Sequence, residues 1–153
     1  MLNAYYQNKQ EVARRIYAAE PLVYSPFFNK DIALGTEGFD HLSRSARGAR
    51  AQEEQVRRFI LLPLAIRILK TATTAQEYRK RYMVVSTPGA RRNRYGTTKV
   101  QWWAFVALFV RQEIKIRVVV RRVGGGKLHF WSVMLYNMTI PRRRARRRVM
   151  DQR

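Results

Sequence analysis

Three runs in the second half of the chain, KVQWWAFVALFVR (99–111), EIKIRVVVRRV (113–123) and KLHFWSVMLYNM (127–138), are crowded with Val, Ile, Phe and Trp. They are separated by a tight Gln112-Glu113 junction and by Gly124-Gly125-Gly126. Short β-branched and aromatic runs punctuated by turn residues specify a β-meander. In the middle run Lys115, Arg117 and Arg121 alternate with Ile114, Ile116, Val118 and Val120. A period of two places a basic row on one face of that strand and an aliphatic row on the other. If the three glycines alone form the loop, Arg121 lies opposite His129 and Val119 opposite Trp131. Ser132 then falls on the face opposite Lys115, Arg117 and Arg121, and only a bulge would bring it to their side.

A sheet with one aliphatic face needs cover, and the first half of the chain supplies it. Residues 3–19 carry Tyr6, Val12, Ala13 and Ile16 at near-helical spacing, with Lys9, Arg14 and Arg15 between them and Pro21 beyond. LVYS (22–25) and DIAL (31–34) read as short extended segments around Pro26. From Ala49 to Ala72 a stripe of Val56, Phe59, Ile60, Leu64, Ile68 and Leu69 predicts a long helix that Pro63 kinks or divides. Thr74-Ala-Gln-Glu77 has the form of a capping box and predicts a short helix through Arg81. PGARRNRYGTT (88–98) reads as an exposed basic loop. The expected fold class is α+β, with N-terminal helices packed on a C-terminal four-stranded antiparallel sheet. Residues 1–140 form a single domain and 141–153 an Arg-rich tail.

Charge decides the class of partner. The 153 residues include 31 Lys+Arg and 10 Asp+Glu, a net charge of +21. The tail holds seven arginines and one aspartate, so the body without it keeps +15. A domain this basic calls for a polyanion. There is no cysteine, which excludes disulfides, thiolate metal sites and cysteine nucleophiles. The N-terminus lacks the apolar region of a signal peptide, and the longest apolar run, 100–110, falls short of the roughly 20 residues of a helical span. The reading is a cytoplasmic protein that does not enter a membrane.

Chemistry narrows further. No Gly-x-Ser-x-Gly elbow and no Walker or dinucleotide glycine motif is present. Two histidines without cysteines offer no zinc spacing, and neither a metal nor a cofactor is expected. Glu113-Ile114-Lys115 has the Glu-x-Lys form of Mg²⁺-dependent nucleases, but three-residue patterns arise by chance and no partner carboxylate is fixed in place. Metal-free RNA cleavage asks for less. The ribose 2′-OH is the nucleophile, so the protein supplies a base, an acid and cations for the phosphorane-like charge. The stretch FDHLSRSARGAR (39–50) sets His41 ahead of Arg44, Arg47 and Arg50. On one helix, positions 41, 44 and 47 project to neighbouring directions and would flank a scissile phosphate. Set against this is a helix-end histidine followed by a solvated basic face. His129, Trp102, Trp103 and Trp131 suit sheet packing, and an exposed tryptophan could stack a base. Arg142, Arg143 and Arg144 open a tail that binds nucleic acid or serves as a localisation signal.

GFDHLSRSARGAR leading into a long helix, followed by EIKIRVVVRRVGGGKLHFWSVM, resembles the barnase/EndoU/colicin/RelE-like (BECR) superfamily of small ribonucleases, in its phage-associated and toxin branches. The likeness in order of elements spans roughly residues 20–138. It implies a metal-independent endoribonuclease toxin acting on tRNA or mRNA and neutralised by an acidic antitoxin or immunity protein. It implies His41, Arg47, Arg117 and Ser132 as the catalytic set. Arg44, Arg50, Lys115, Arg121 and the tail arginines would then bind RNA. The competing expectation is a non-catalytic RNA- or ribosome-binding protein, for which charge, aromatic strands and tail suffice.

Overall fold

The computed structural model describes residues 2–45, 48–86 and 95–136. In chain order they form α1 (Leu2–Ala19), β1 (Leu22–Ser25), β2 (Lys30–Ala33), α2 (Thr36–Ser43), β3 (Arg44–Ser45), β4 (Gly48–Ala49), α3 (Gln52–Thr71), β5 (Glu77–Ser86), β6 (Tyr95–Phe109), β7 (Ile114–Val123) and β8 (Leu128–Leu135). The class is α+β. The expected four-stranded antiparallel sheet is instead six-stranded and mixed, in the order β1-β2-β8-β7-β6-β5, with β3 and β4 as a separate small hairpin.

Two elements account for the difference. The β1–β2 hairpin adds to the far edge, where β2 runs parallel to β8 through Ile32↔Leu128 and Ala33↔His129. At the other edge, the expected capping-box helix does not form, and its residues from Glu77 onward are a strand. Tyr78, Tyr82, Val84 and Val85 favour an extended chain, and Gln76 spends its polar groups on β6. The Gln76 amide donates to the Ala104 carbonyl (2.9 Å), and its side-chain oxygen accepts from the Val106 amide (2.7 Å). A local helix signal loses to two cross-strand hydrogen bonds. Pro63 does not divide α3 either. It lies on the exposed side of the helix, where water can replace the lost backbone bond.

The core lies between α1 and α3 and one face of the sheet. Ile116, Val118 and Val120 of β7, Phe105 of β6 and Phe130 and Val133 of β8 are buried against Phe59, Leu62, Ala65, Ile66 and Leu69 of α3. Each such side chain contributes about 1.5–3 kcal/mol by leaving water. The opposite face of the sheet carries the basic row.

β2 pairs with only the first residues of β8, and α2 lies against the rest. Gly38 permits this approach: a Cβ there would sit 2.1 Å from the Phe130 carbonyl oxygen. Any side chain at 38 would push α2 off the sheet.

Candidate active site and nucleic-acid interface

The β7–β8 register contains the feature that builds the site. Arg121 pairs with His129 and Val120 with Phe130, yet Val119 pairs with Ser132. One extra residue, Trp131, is therefore accommodated in a bulge. Cross-strand partners share a face, so Ser132 comes to the side of Arg117, Val119 and Arg121.

Rows across the strands follow from the register. Glu77, Ala104, Val119 and Ser132 form one; Arg79, Trp102 and Arg121 form the next. The small, buried Ala104 and Val119 leave a depression between larger neighbours. The resulting cleft of about 500 Å³ has Trp102 and Trp131 at one end and Glu77 and Arg117 at the other, with Arg79 and His41 also lining it.

Cations and rings alternate along the tryptophan end. The Arg79 guanidinium lies 4.7 Å from the Trp102 centroid, and Arg121 lies 5.8 Å from Trp102 and 4.2 Å from Trp131. His41 stacks on Trp131 with centroids 4.5 Å apart and 25° between planes. Arg79, Trp102, Arg121, Trp131 and His41 thus make a ladder drawn from β5, β6, β7, β8 and α2. The arginine–tryptophan contacts contribute about 0.5–2 kcal/mol each. The Arg121 Nε is buried and has no hydrogen-bond partner among the described residues.

His41 stands in the last turn of α2, and its carbonyl accepts a hydrogen bond from Arg50 Nε (3.2 Å). Burial, then the positive charges of Arg50, Arg58 and Arg121, push the imidazole down to about 4. It is neutral at pH 7 in the free protein. Opposite it in the cleft, Arg117 donates from Nε (3.0 Å) and a terminal nitrogen (2.7 Å) to one Glu77 carboxylate oxygen.

Beneath this surface lies a buried arginine. One terminal nitrogen of Arg58, from α3, donates to Ser132 Oγ (2.7 Å) and to the Val133 carbonyl (3.1 Å). The other donates to Glu54 Oε1 (3.0 Å), which also accepts from Arg50. The hydrogen bond from Arg58 holds the Glu54 carboxyl below its ordinary range. Ser132 is 2% exposed and so belongs to the support of the cleft.

Of the residues singled out in the sequence, His41 and Arg117 line the cleft and Arg121 stands between its two tryptophans. Lys115 lies further along β7, over the Tyr136 ring at 4.7 Å. α2 ends at Ser43, so Arg44 and Arg50 do not share a helix face with His41. Arg44 is exposed in β3, and Arg50 braces the end of α2. Arg47, Arg142, Arg143 and Arg144 lie outside the described residues. Glu77, Arg79 and Arg58 went unrecognised in the sequence. Glu77 and Arg79 were hidden by the helix reading of 74–81, although the alternation in EYRKRYMVV could have marked a strand.

Among the described residues no group of three or more His, Asp or Glu could hold a metal ion. Glu113 sits in the β6–β7 turn at φ 54°. No described helix is long and apolar enough to cross a membrane. Comparison of the chain with protein-family models, curated proteins and solved structures gives no match.

Proposed function

We propose that this protein is a metal-independent endoribonuclease of the toxin type. The observation that carries the reading is the convergence of His41, Glu77, Arg79 and Arg117 on one cleft in a domain of high positive charge. Two titratable groups and two guanidiniums are the complement that 2′-OH attack requires.

In the proposed reaction Glu77 accepts the 2′-OH proton as the 2′ oxygen attacks the adjacent phosphorus. The bond from phosphorus to the 5′ oxygen breaks, and His41 gives that oxygen a proton. The products are a 2′,3′-cyclic phosphate and a 5′-OH. Arg117 and Arg79 stabilise the charge on the non-bridging oxygens. His41 is kept neutral in the free protein first by burial and then by the field of three arginines; a phosphate in the cleft offsets the second cause and raises its proton affinity. Ser132 and Arg58 hold β8 in register beneath. An acidic antitoxin would suit the surface, since complementary charge speeds and orients association.

A second reading, RNA or ribosome binding without cleavage, is favoured by the ladder of arginines and tryptophans, which needs no acid or base. Incubation with total RNA in EDTA separates the two. An endoribonuclease cuts the RNA, and His41→Ala abolishes the cutting while retaining most of the affinity. Intact RNA under every metal condition would leave only the binding reading.

A further inference from the structure

Arg50, Glu54 and Arg58 follow one another at intervals of four, the spacing at which side chains on one side of a helix meet. Arg50 precedes α3, Glu54 stands in its first turn, where the helix dipole favours a carboxylate, and Arg58 lies one turn on. A single oxygen, Glu54 Oε1, accepts from a terminal nitrogen of each guanidinium, both at 3.0 Å. Arg50 reaches on to the His41 carbonyl (3.2 Å), and Arg58 to Ser132 Oγ (2.7 Å). Ser132 follows Trp131, and Trp131 stacks on His41. The contacts therefore close on themselves, from His41 through Arg50, Glu54, Arg58, Ser132 and Trp131 back to His41.

Glu54 is the one anion of this ring. The side chains of Arg50 and Arg58 are only 14% and 8% exposed, so water screens their mutual repulsion poorly. Among the described residues no other carboxylate lies within ion-pair distance of either. Without Glu54 two like charges face each other, and Arg50, the less deeply held, is the one that can turn outward. Its backbone stays in place because the Arg50 carbonyl accepts from Gln55 Nε2 (2.7 Å), so what is lost is the reach of its side chain to His41. Glu54 itself lines a separate cavity with Glu53, Arg57 and Met134 and does not border the cleft that holds His41.

We propose that Glu54 is a positioning residue: by holding Arg50 and Arg58 on one oxygen it fixes the last turn of α2 against the β8 bulge and keeps the His41 ring on Trp131. The proposal rests on the reading of His41 as the proton donor of the cleft and specifies what keeps that donor in place. The charged groups that act on the ring are Arg50, Arg58 of α3 and Arg121 of β7, and Glu77, Arg79 and Arg117 share its cleft.

The test is NMR of the His41 imidazole in the folded protein, which needs neither RNA nor activity. In the wild type the ring protons carry the ring-current shift of the Trp131 face, and the imidazole titrates near 4. Glu54→Ala is expected to abolish that ring-current shift and to move the titration toward 6.5 as the ring leaves its buried place. Glu54→Gln keeps an oxygen acceptor at the same position and should restore the stack. Arg50→Met breaks the ring from the other side and should also abolish the ring-current shift, which is the readout there because losing the cation by itself raises the titration. On natural RNA, Glu54→Ala should lower kcat by about 10- to 100-fold, the scale of a small misplacement of a reacting group, with KM nearly unchanged. The basic limb of its pH profile should move to higher pH, following the proton donor.

A folded Glu54→Ala protein that keeps both the ring-current shift and a titration near 4 would overturn the proposal, as would an undisturbed stack in Arg50→Met. Release of His41 in a protein whose wild type leaves RNA intact would remove the ribonuclease reading and keep the role of Glu54 in holding the ring. Wild-type cutting with His41 unmoved in both variants would remove that role alone.

Discussion

His41 and Trp131 stack at 4.5 Å although one belongs to a helix and the other to a strand bulge. Two departures from regular structure produce this contact. The bulge sets the Trp131 ring at the cleft, and Gly38 lets α2 lie against β8 closely enough for His41, one turn later, to cover it.

Gly38 should therefore resist substitution. Gly38→Ala forces α2 away from the Phe130 carbonyl and is expected to cost about 1–3 kcal/mol in denaturant unfolding, the range of overpacked sites. RNA cutting should fall more than the stability loss explains, because His41 moves with α2. Unchanged stability would mean that α2 does not approach β8 as closely as described.

The depressed proton affinity of His41 makes folding acid-sensitive. The unfolded chain takes up this proton near pH 6.5 and the folded one near 4, so between these values the unfolded state binds more protons. Stability from this group is full above pH 6.5 and falls as the pH drops toward 4. His41→Gln should flatten that part of the melting-temperature profile. An imidazole titrating at 6.5 in the folded protein, followed by NMR, would contradict the burial and arginine field assigned to it.

Arg58 should be the most sensitive support. Arg58→Ala leaves Ser132 Oγ and the Val133 carbonyl without their donor, at about 1–3 kcal/mol for each buried group left unsatisfied. Ser132→Ala removes an acceptor from a buried cation and should also destabilise, while leaving the pH profile of cutting in shape. A changed pH profile at native stability would assign Ser132 to the chemistry instead.

Much of this arrangement was legible in the chain before its structure. The meander, the basic row of β7 and the opposition of Arg121 and His129 all follow from alternation and a three-glycine loop. The bulge could be named as the device that would bring Ser132 to the basic row, but nothing in the run KLHFWSVMLYNM marks where the extra residue falls. β5 was obscured because Thr74-Ala-Gln-Glu77 satisfies a helix start as well as it satisfies the edge of a sheet. That ambiguity hid Glu77, and with it the second titratable group. The spacing of positions 41, 44 and 47 suits one helix, but α2 stops at Ser43 and Arg44 opens a hairpin, a break that periodicity alone does not mark.

Glu77 and Arg117 form a half-exposed pair, so breaking it should change stability by less than about 1 kcal/mol. Glu77→Gln is expected to reduce cutting by at least about 100-fold, the scale of a lost general base. RNA affinity should hold or rise, since a negative charge leaves the cleft. Loss of affinity alongside activity, measured with a 2′-O-methyl RNA, would make Glu77 a binding residue.

The most direct test of the central claim is the chemistry of the new RNA ends, determined by mass spectrometry after incubation of a defined RNA with the protein in EDTA. Attack by the 2′-OH leaves a 2′,3′-cyclic phosphate and a 5′-OH, and both should vanish with His41→Ala. Fragments ending in a 3′-OH and a 5′-phosphate would contradict it, as would cutting that persists undiminished without His41.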